Sequence, residues 1–186
     1  IMTQLPAEIF KAYDIRGIVD KSLTADVVRR IGHALGSLAV EQGQKAIAVG
    51  RDGRLSGPEL AGALMDGICA AGVDAIDVGC VPTPVTYFAA YELGCNSCVS
   101  VTGSHNPPDY NGLKMVLGGQ TLYGEMIQAL RRRIENNAVS AVPPGDTASH
   151  NFHQGHGTIR RANVQKAYLD RIVGDVKLSR PMKIVI

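Results

Sequence analysis

Short apolar segments, each followed by a Gly/Pro-rich turn and then a helical repeat, recur along this chain. Thr24 stands where a helix N-cap belongs. Behind it Val27, Ile31, Leu35 and Leu38 recur at the spacing of one helix face, with Gly43 as a stop. Ser56 and Glu59 have the spacing of a capping box, which opens a second helix with Leu60, Leu64 and Ile68 inward and Gly72 at its end. A third helix starts at Thr83-Pro84, buries Val85, Phe88 and Ala89, and ends by Gly94. A fourth carries Ile127, Leu130 and Ile134, and places Arg131, Arg132 and Arg133 in its last turn, against the negative helix end. Between the helices, residues 46–49, 73–78 and 98–101 are short β-rich apolar runs that read as strands buried on both faces. Asn111-Gly112 reads as a tight turn before another strand over 113–117. This alternation of strands and helices means a parallel α/β sheet.

Residues 141–157 have no apolar period and are rich in Pro, Gly, Ser and His, so they read as a linker or long surface loop. The division expected is a first domain over 1–142, a linker over 143–160 and a second domain starting at 161–186. Val164, Tyr168, Ile172 and Val176 form one more helical stripe, and 182–186 begins a strand that the chain leaves unfinished. A lone helix and strand cannot bury their own apolar faces, so the chain reads as truncated just inside a second α/β domain.

Composition narrows the class. Of 186 residues, 45% are hydrophobic and 19% charged, which excludes disorder, a collagen-like repeat and a disulfide-stapled miniprotein. Lys and Arg number 19 against 17 acidic residues, and no basic stripe interleaves with aromatics, so nucleic acid is not an expected partner. No run approaches the ~20 apolar residues that span a bilayer, and the first residues carry no leader pattern. The expectation is a cytoplasmic protein with no membrane partner. Four cysteines are too few for a disulfide framework. Cys95 and Cys98 have redox spacing, yet there is no second pair for zinc and Cys98 opens an apolar strand, so inert packing is expected. His150, His153 and His156 recur every three residues beside Gly155 and Gly157, and read as a solvated linker rather than a metal site.

Ligands of open α/β sheets bind beyond the carboxyl ends of the strands, so the loops after the buried runs carry the chemistry. They span residues 50–57, 79–84 and 102–108. In the third, Ser104 follows Gly103 and precedes His105, Asn106, Pro107 and Pro108, which places a hydroxyl on a rigid turn among N–H groups able to hold phosphate. The hydrolase elbow needs glycines two residues either side of the serine, where Thr102 and Asn106 stand. Neither a phosphate-binding P-loop nor a dinucleotide-binding Gly-x-Gly-x-x-Gly occurs. Phosphoryl chemistry on serine remains.

The run from Thr102 to Lys114, Thr-Gly-Ser-His-Asn-Pro-Pro-Asp-Tyr-Asn-Gly-Leu-Lys, resembles the phosphoserine loop of the α-D-phosphohexomutase superfamily, in its bacterial phosphomannomutase/phosphoglucomutase branch. Residues 10–17, 50–54 and 81–84 match the same family in the same order. The resemblance implies a mixed, mostly parallel sheet sandwiched between helices, plus the start of a second α/β domain. It implies that phosphorylated Ser104 donates its phosphoryl group to a hexose phosphate, giving a bisphosphosugar that returns the other phosphate, so that hexose 1-phosphate and 6-phosphate interconvert. Ser104, Lys114 and Arg16 are the implied catalytic residues. Tyr13, Arg16, Lys114 and His105 are the implied substrate contacts. The implied partners are mannose or glucose phosphates, with hexose 1,6-bisphosphate as activator and the full-length protein a monomer. Mg²⁺ is the implied cofactor, bound through the Ser104 phosphate and three aspartates of the second domain, so the 186 residues alone are expected to be inactive.

From the residues themselves, Lys114 between Leu113 and Met115 points away from the face those two share. Neighbouring side chains on an extended loop diverge, so His105 is expected to contact phosphate or pack the loop rather than pair with Ser104. Arg51, Asp52 and Arg54 are expected to support the loop through ion pairs. The competing reading is a non-catalytic domain that binds a sugar phosphate or a partner.

Overall fold

A mostly parallel sheet, seven-stranded among the described residues, has the order Ile15–Ile18 (β1), Tyr110–Leu117 (β5), Cys98–Val101 (β4), Ala46–Arg51 (β2), Asp74–Cys80 (β3) and Ile159–Arg161 (β7), with Gln120–Thr121 (β6) beside β5. The computed structural model describes residues 5–136 and 157–184. The helices are α1 (Ala25–Glu41), α2 (Gly57–Ala70), α3 (Thr83–Glu92), α4 (Glu125–Asn136) and α5 (Gln165–Asp175). Strand β2 runs parallel to both β4 and β3, and β3 is parallel to β7. Strand β5 inserts antiparallel between β1 and β4, which makes the sheet mixed.

Alternation along the strands sorts the two faces. Ile47, Val49, Val99, Val101, Leu113 and Met115 face one way and join the large core cluster with α1, α2 and α4. Ala48, Cys98 and Val116 face the other and join Val85, Phe88 and Ala89 of α3. Each Leu or Ile so buried contributes about 1.5–3 kcal/mol relative to leaving it in water.

Helix α1 starts where Thr24 stands, because the Thr24 hydroxyl oxygen accepts from the Val27 N–H, and it is followed by Gly43 at φ 71°. Helices α1 and α2 approach closely through small residues. A Cβ on Gly67 would lie 2.0 Å from the Arg29 carbonyl oxygen, and one on Gly32 would lie 2.3 Å from that of Leu64.

Several expectations are corrected. Asn111-Gly112 is no turn: both residues lie inside β5, and the turn after β5 falls at Gly118 and Gly119, both at positive φ. Gly112 serves close packing, since a Cβ there would meet the Ile15 carbonyl oxygen at 2.3 Å. Ser56 makes no capping bond to α2, because its own backbone is already helical; its hydroxyl instead accepts from Asn111 Nδ2 at 2.9 Å. Of the three arginines of α4, only Arg133 lies in the last turn. All three pair with carboxylates, Arg131 with Glu135, Arg132 with Glu125 and Arg133 with Glu41.

Most of the expected linker, and His150, His153 and His156 with it, lies outside the described residues. Its last residues do not behave as linker. Ile159 and Arg160 belong to β7, which pairs with β3 of the first sheet, while Asp74 Oδ1 accepts from the Thr158 N–H and hydroxyl. Val164 is buried on the α3 face, and the Tyr168 ring meets Phe88 edge-on at 5.3 Å. Ile172 and Val176 of the same stripe are exposed. Residues 182–184 form no strand, because no neighbouring strand pairs with them among the described residues.

Candidate active site

The loop after β4 is held by groups from the loop after β2. Asp52 Oδ2 accepts from the Thr102 hydroxyl at 2.8 Å and from the Gly103 N–H at 3.1 Å. Thr102 Oγ1 in turn accepts from the Ser104 N–H at 2.9 Å. The Asn106 side chain donates to the Gly103 carbonyl, closing the turn from within. The Arg54 guanidinium then donates to four main-chain carbonyls, those of Ser104 (3.1 Å), Asn106 (2.7 Å), Pro107 (2.6 Å) and Tyr110 (2.9 Å).

On this pedestal Ser104 is exposed, with φ 52°, a left-handed conformation that a non-glycine residue keeps only when its surroundings enforce it. The expected divergence of Ser104 and His105 fails for that reason. The backbone is not extended there, and Ser104 Oγ shares a hydrogen bond with His105 Nδ1 at 3.2 Å. His105 is itself exposed.

A second group of charges gathers where β1 lies against β5. Lys114 projects opposite to buried Leu113 and Met115, as the strand period requires, and its ammonium lies 3.9 Å from Asp14 Oδ2. The same oxygen accepts from Arg16 at 2.5 Å. Asp14 is buried, whereas both cations remain partly exposed and able to meet an anion. Tyr13 precedes Asp14 in the chain and has 77% of its surface exposed. Among the described residues no hydrogen bond or ion pair joins Ser104 to Arg16, Lys114 or Tyr13; Lys114 stands on the strand beside β4, opposite Ser100, and the serine loop follows β4.

An open cleft of about 830 Å³ borders the serine loop, lined by Asp20, Asp52, Glu59 and Asp109 as well as Arg54. Four carboxylates against one arginine already engaged by carbonyls make it a poor place for a phosphate. Arg16 and Lys114, grouped around Asp14, lie outside this acidic lining.

The expected ion-pair support is half right. Arg54 pairs with Asp52 at 3.5 Å, but Arg51 makes no ion pair among the described residues. Asp14 falls within the matched run 10–17 without being singled out there, because its contact with Lys114 lies beyond any local window of sequence. The carbonyl-clamping role of Arg54 is likewise silent, because its partners lie 50–56 residues away. Cys95 and Cys98 are both free thiols. Burial pushes the Cys98 thiol up to about 12, so it is inert in the folded state. Among the described residues no cluster of three or more His, Cys, Asp or Glu side chains could hold a metal.

A serine-bearing loop pinned beyond the carboxyl end of a mostly parallel sheet defines a class of α/β domain, and comparison with known proteins gives it a family. The model of the phosphoglucomutase/phosphomannomutase α/β/α domain I matches residues 7–140, so the chain belongs to the phosphoglucomutase/phosphomannomutase family and carries its first domain. It is 49% identical over 182 residues to the phosphomannomutase/phosphoglucomutase of Pseudomonas aeruginosa, covering 98% of this chain and 36% of that protein. It is 47% identical over 185 residues to a phosphoglucomutase of Neisseria gonorrhoeae, covering all of this chain and 38% of that protein. The crystal structure of a phosphoglucomutase/phosphomannomutase family protein from Burkholderia thailandensis superposes with a TM-score of 0.83 at 52% identity, over 96% of this chain and 38% of that one. The chain thus spans little more than a third of the length of these relatives.

Proposed function

We propose that this chain is the phosphoserine-bearing part of a phosphohexomutase that interconverts hexose 1-phosphate and hexose 6-phosphate. The observation that carries the reading is the Ser104 hydroxyl, exposed on a left-handed residue of a loop pinned by Asp52 and Arg54, in a chain of this family. Phosphorylated Ser104 passes its phosphoryl group to the free hydroxyl of a hexose phosphate. The bond between phosphorus and Ser104 Oγ breaks as the bond to the sugar oxygen forms, and in net the proton of the sugar hydroxyl ends on Ser104 Oγ, which is left as a free hydroxyl. The resulting bisphosphosugar, turned end for end, returns its other phosphate to Ser104. Hexose 1,6-bisphosphate is then both intermediate and activator.

Positioning and charge neutralisation drive such a transfer, since the protein forms no other covalent bond. Arg16 and Lys114 supply positive charge facing the sugar phosphate, Tyr13 lends an aromatic surface beside them, and His105 steadies the serine oxygen. Mg²⁺ is the counter-ion we assign to the phosphoryl group. The described residues do not make a metal site by themselves, and a phosphate on Ser104 would be this chain's contribution to one.

The test uses the complete product of the gene that carries this chain. Incubation with glucose 1,6-bisphosphate followed by peptide mass mapping should place phosphate on Ser104, and glucose 1-phosphate should be turned over in a coupled assay. Ser104→Ala should lose activity by about a hundredfold or more. Phosphate on another residue, or undiminished turnover in Ser104→Ala, overturns the reading.

A further inference from the structure

Ser104 occupies a backbone conformation that something must enforce, and its hydroxyl must nevertheless be placed to a fraction of an ångström if a phosphoryl group is to leave from it. The loop's own hydrogen bonds, from Asn106 to the Gly103 carbonyl and from the Ser104 N–H to Thr102, tie it together locally. On the carbonyl-bearing edge the Tyr110 N–H donates to the Pro107 carbonyl at 3.0 Å, which ties that edge to itself. That edge, the carbonyls of residues 104, 106, 107 and 110, converges on one guanidinium whose side chain is 16% exposed. A planar fork of five N–H donors can meet four oxygens spread over seven residues, whereas an ammonium is a point with three donors.

We infer that Arg54 is a positioning residue for Ser104: its guanidinium, engaged by four loop carbonyls, sets the place of the serine oxygen and touches no substrate. Gly103 is part of the same device. A Cβ at that position would lie 2.1 Å from Arg54 Nε and 2.2 Å from Cζ, with no main-chain atom among its three nearest neighbours. Gly103 is not among the residues at positive φ, so an added methyl group displaces the clamp without straining the backbone. Asp52, 3.5 Å from Arg54 Nε and also bonded to the Gly103 N–H, orients the guanidinium from behind. Arginine in this place thus acts on the geometry of transfer. Phosphate affinity is left to Arg16 and Lys114.

This inference rests on the mutase reading above, and the experiment separates the two. In the complete protein, Arg54→Lys and Gly103→Ala are compared with wild type for kcat and KM on glucose 1-phosphate and for amide hydrogen exchange across residues 103–110. Both variants should lose kcat by about tenfold to a hundredfold while KM changes by less than about threefold, with exchange accelerated across the loop. Gly103→Ala keeps every charge and adds a single methyl group, so it folds where a deletion of Arg54 could fail. Wild-type kcat in both variants overturns the inference, and so does a rise in KM at unchanged kcat, which would make Arg54 a substrate contact. If the wild-type protein turns over no hexose phosphate, the mutase reading fails. The exchange data then decide the clamp alone: unchanged protection in both variants removes it.

Discussion

Asp14 lies 3.9 Å from the Lys114 ammonium of β5 while holding Arg16 at 2.5 Å through the same carboxylate oxygen. Two cations that would otherwise repel are kept side by side by one buried anion. Asp14→Asn removes that anion and leaves both cations without a fixed partner. We expect kcat/KM for hexose 1-phosphate to fall by about tenfold in the complete protein, about 1.4 kcal/mol of transition-state stabilisation. Steady-state kinetics check this, and an unchanged kcat/KM would show that Arg16 and Lys114 need no organiser.

Gly67 on α2 has no room for a side chain, since a Cβ there would lie 2.0 Å from the Arg29 carbonyl and 2.8 Å from the His33 nitrogen, both main-chain atoms of α1. Gly67→Ala therefore forces the two helices apart despite the better helix propensity of alanine. Overpacking of this kind costs about 1–3 kcal/mol, to be read from the urea midpoint of the chain. A stability equal to or above the parent's would mean that the helix pair slides without penalty.

Thr86, fully buried at the start of α3, has a hydroxyl with no hydrogen-bond partner among the described residues. An unsatisfied buried hydroxyl is destabilising relative to a methyl group in its place. Thr86→Val should raise stability by about 1 kcal/mol, or Tm by about 2–4 °C for a chain of this size. A lowered Tm would imply a bond that the hydroxyl makes in solution.

His33 on α1 gives stability a slope against pH. Burial holds its imidazole below the usual value of 6.5. The unfolded chain consequently takes up this proton first on acidification, and stability declines as pH falls below about 6.5 until the folded imidazole also titrates. His33→Gln should flatten this part of the profile, measured as urea midpoints between about pH 7.5 and pH 5.5. An identical slope in the variant would assign the effect to another group.

The elements legible in the sequence are those whose causes lie within a few residues. The face of α1, its cap at Thr24 and the strand at Cys98–Val101 depend on local periodicity and on side chains reaching three positions along the chain, so they stand where the pattern puts them. The loop around Ser104 is legible for the same reason, as a short run of residues whose order is distinctive. Ser56 and Asn111-Gly112 mislead because each has a common local use, a cap and a turn. Here Ser56 and Asn111 are joined to each other across 55 residues, and Gly112 is pressed against Ile15.

The sequence alone determined the helices, the strands β2, β3 and β4, the second half of β5, and which hydroxyl is presented on a loop, because backbone hydrogen bonding and apolar period act over one or two turns of chain. Only the tertiary structure decided that β5 enters antiparallel beside β4, that β7 returns to the first sheet, that Asp14 gathers Arg16 and Lys114, and that Arg54 closes on four carbonyls. Most of those contacts join residues tens of positions apart. Their partners are chosen by how the whole sheet closes over its core, a condition that no local window of residues contains.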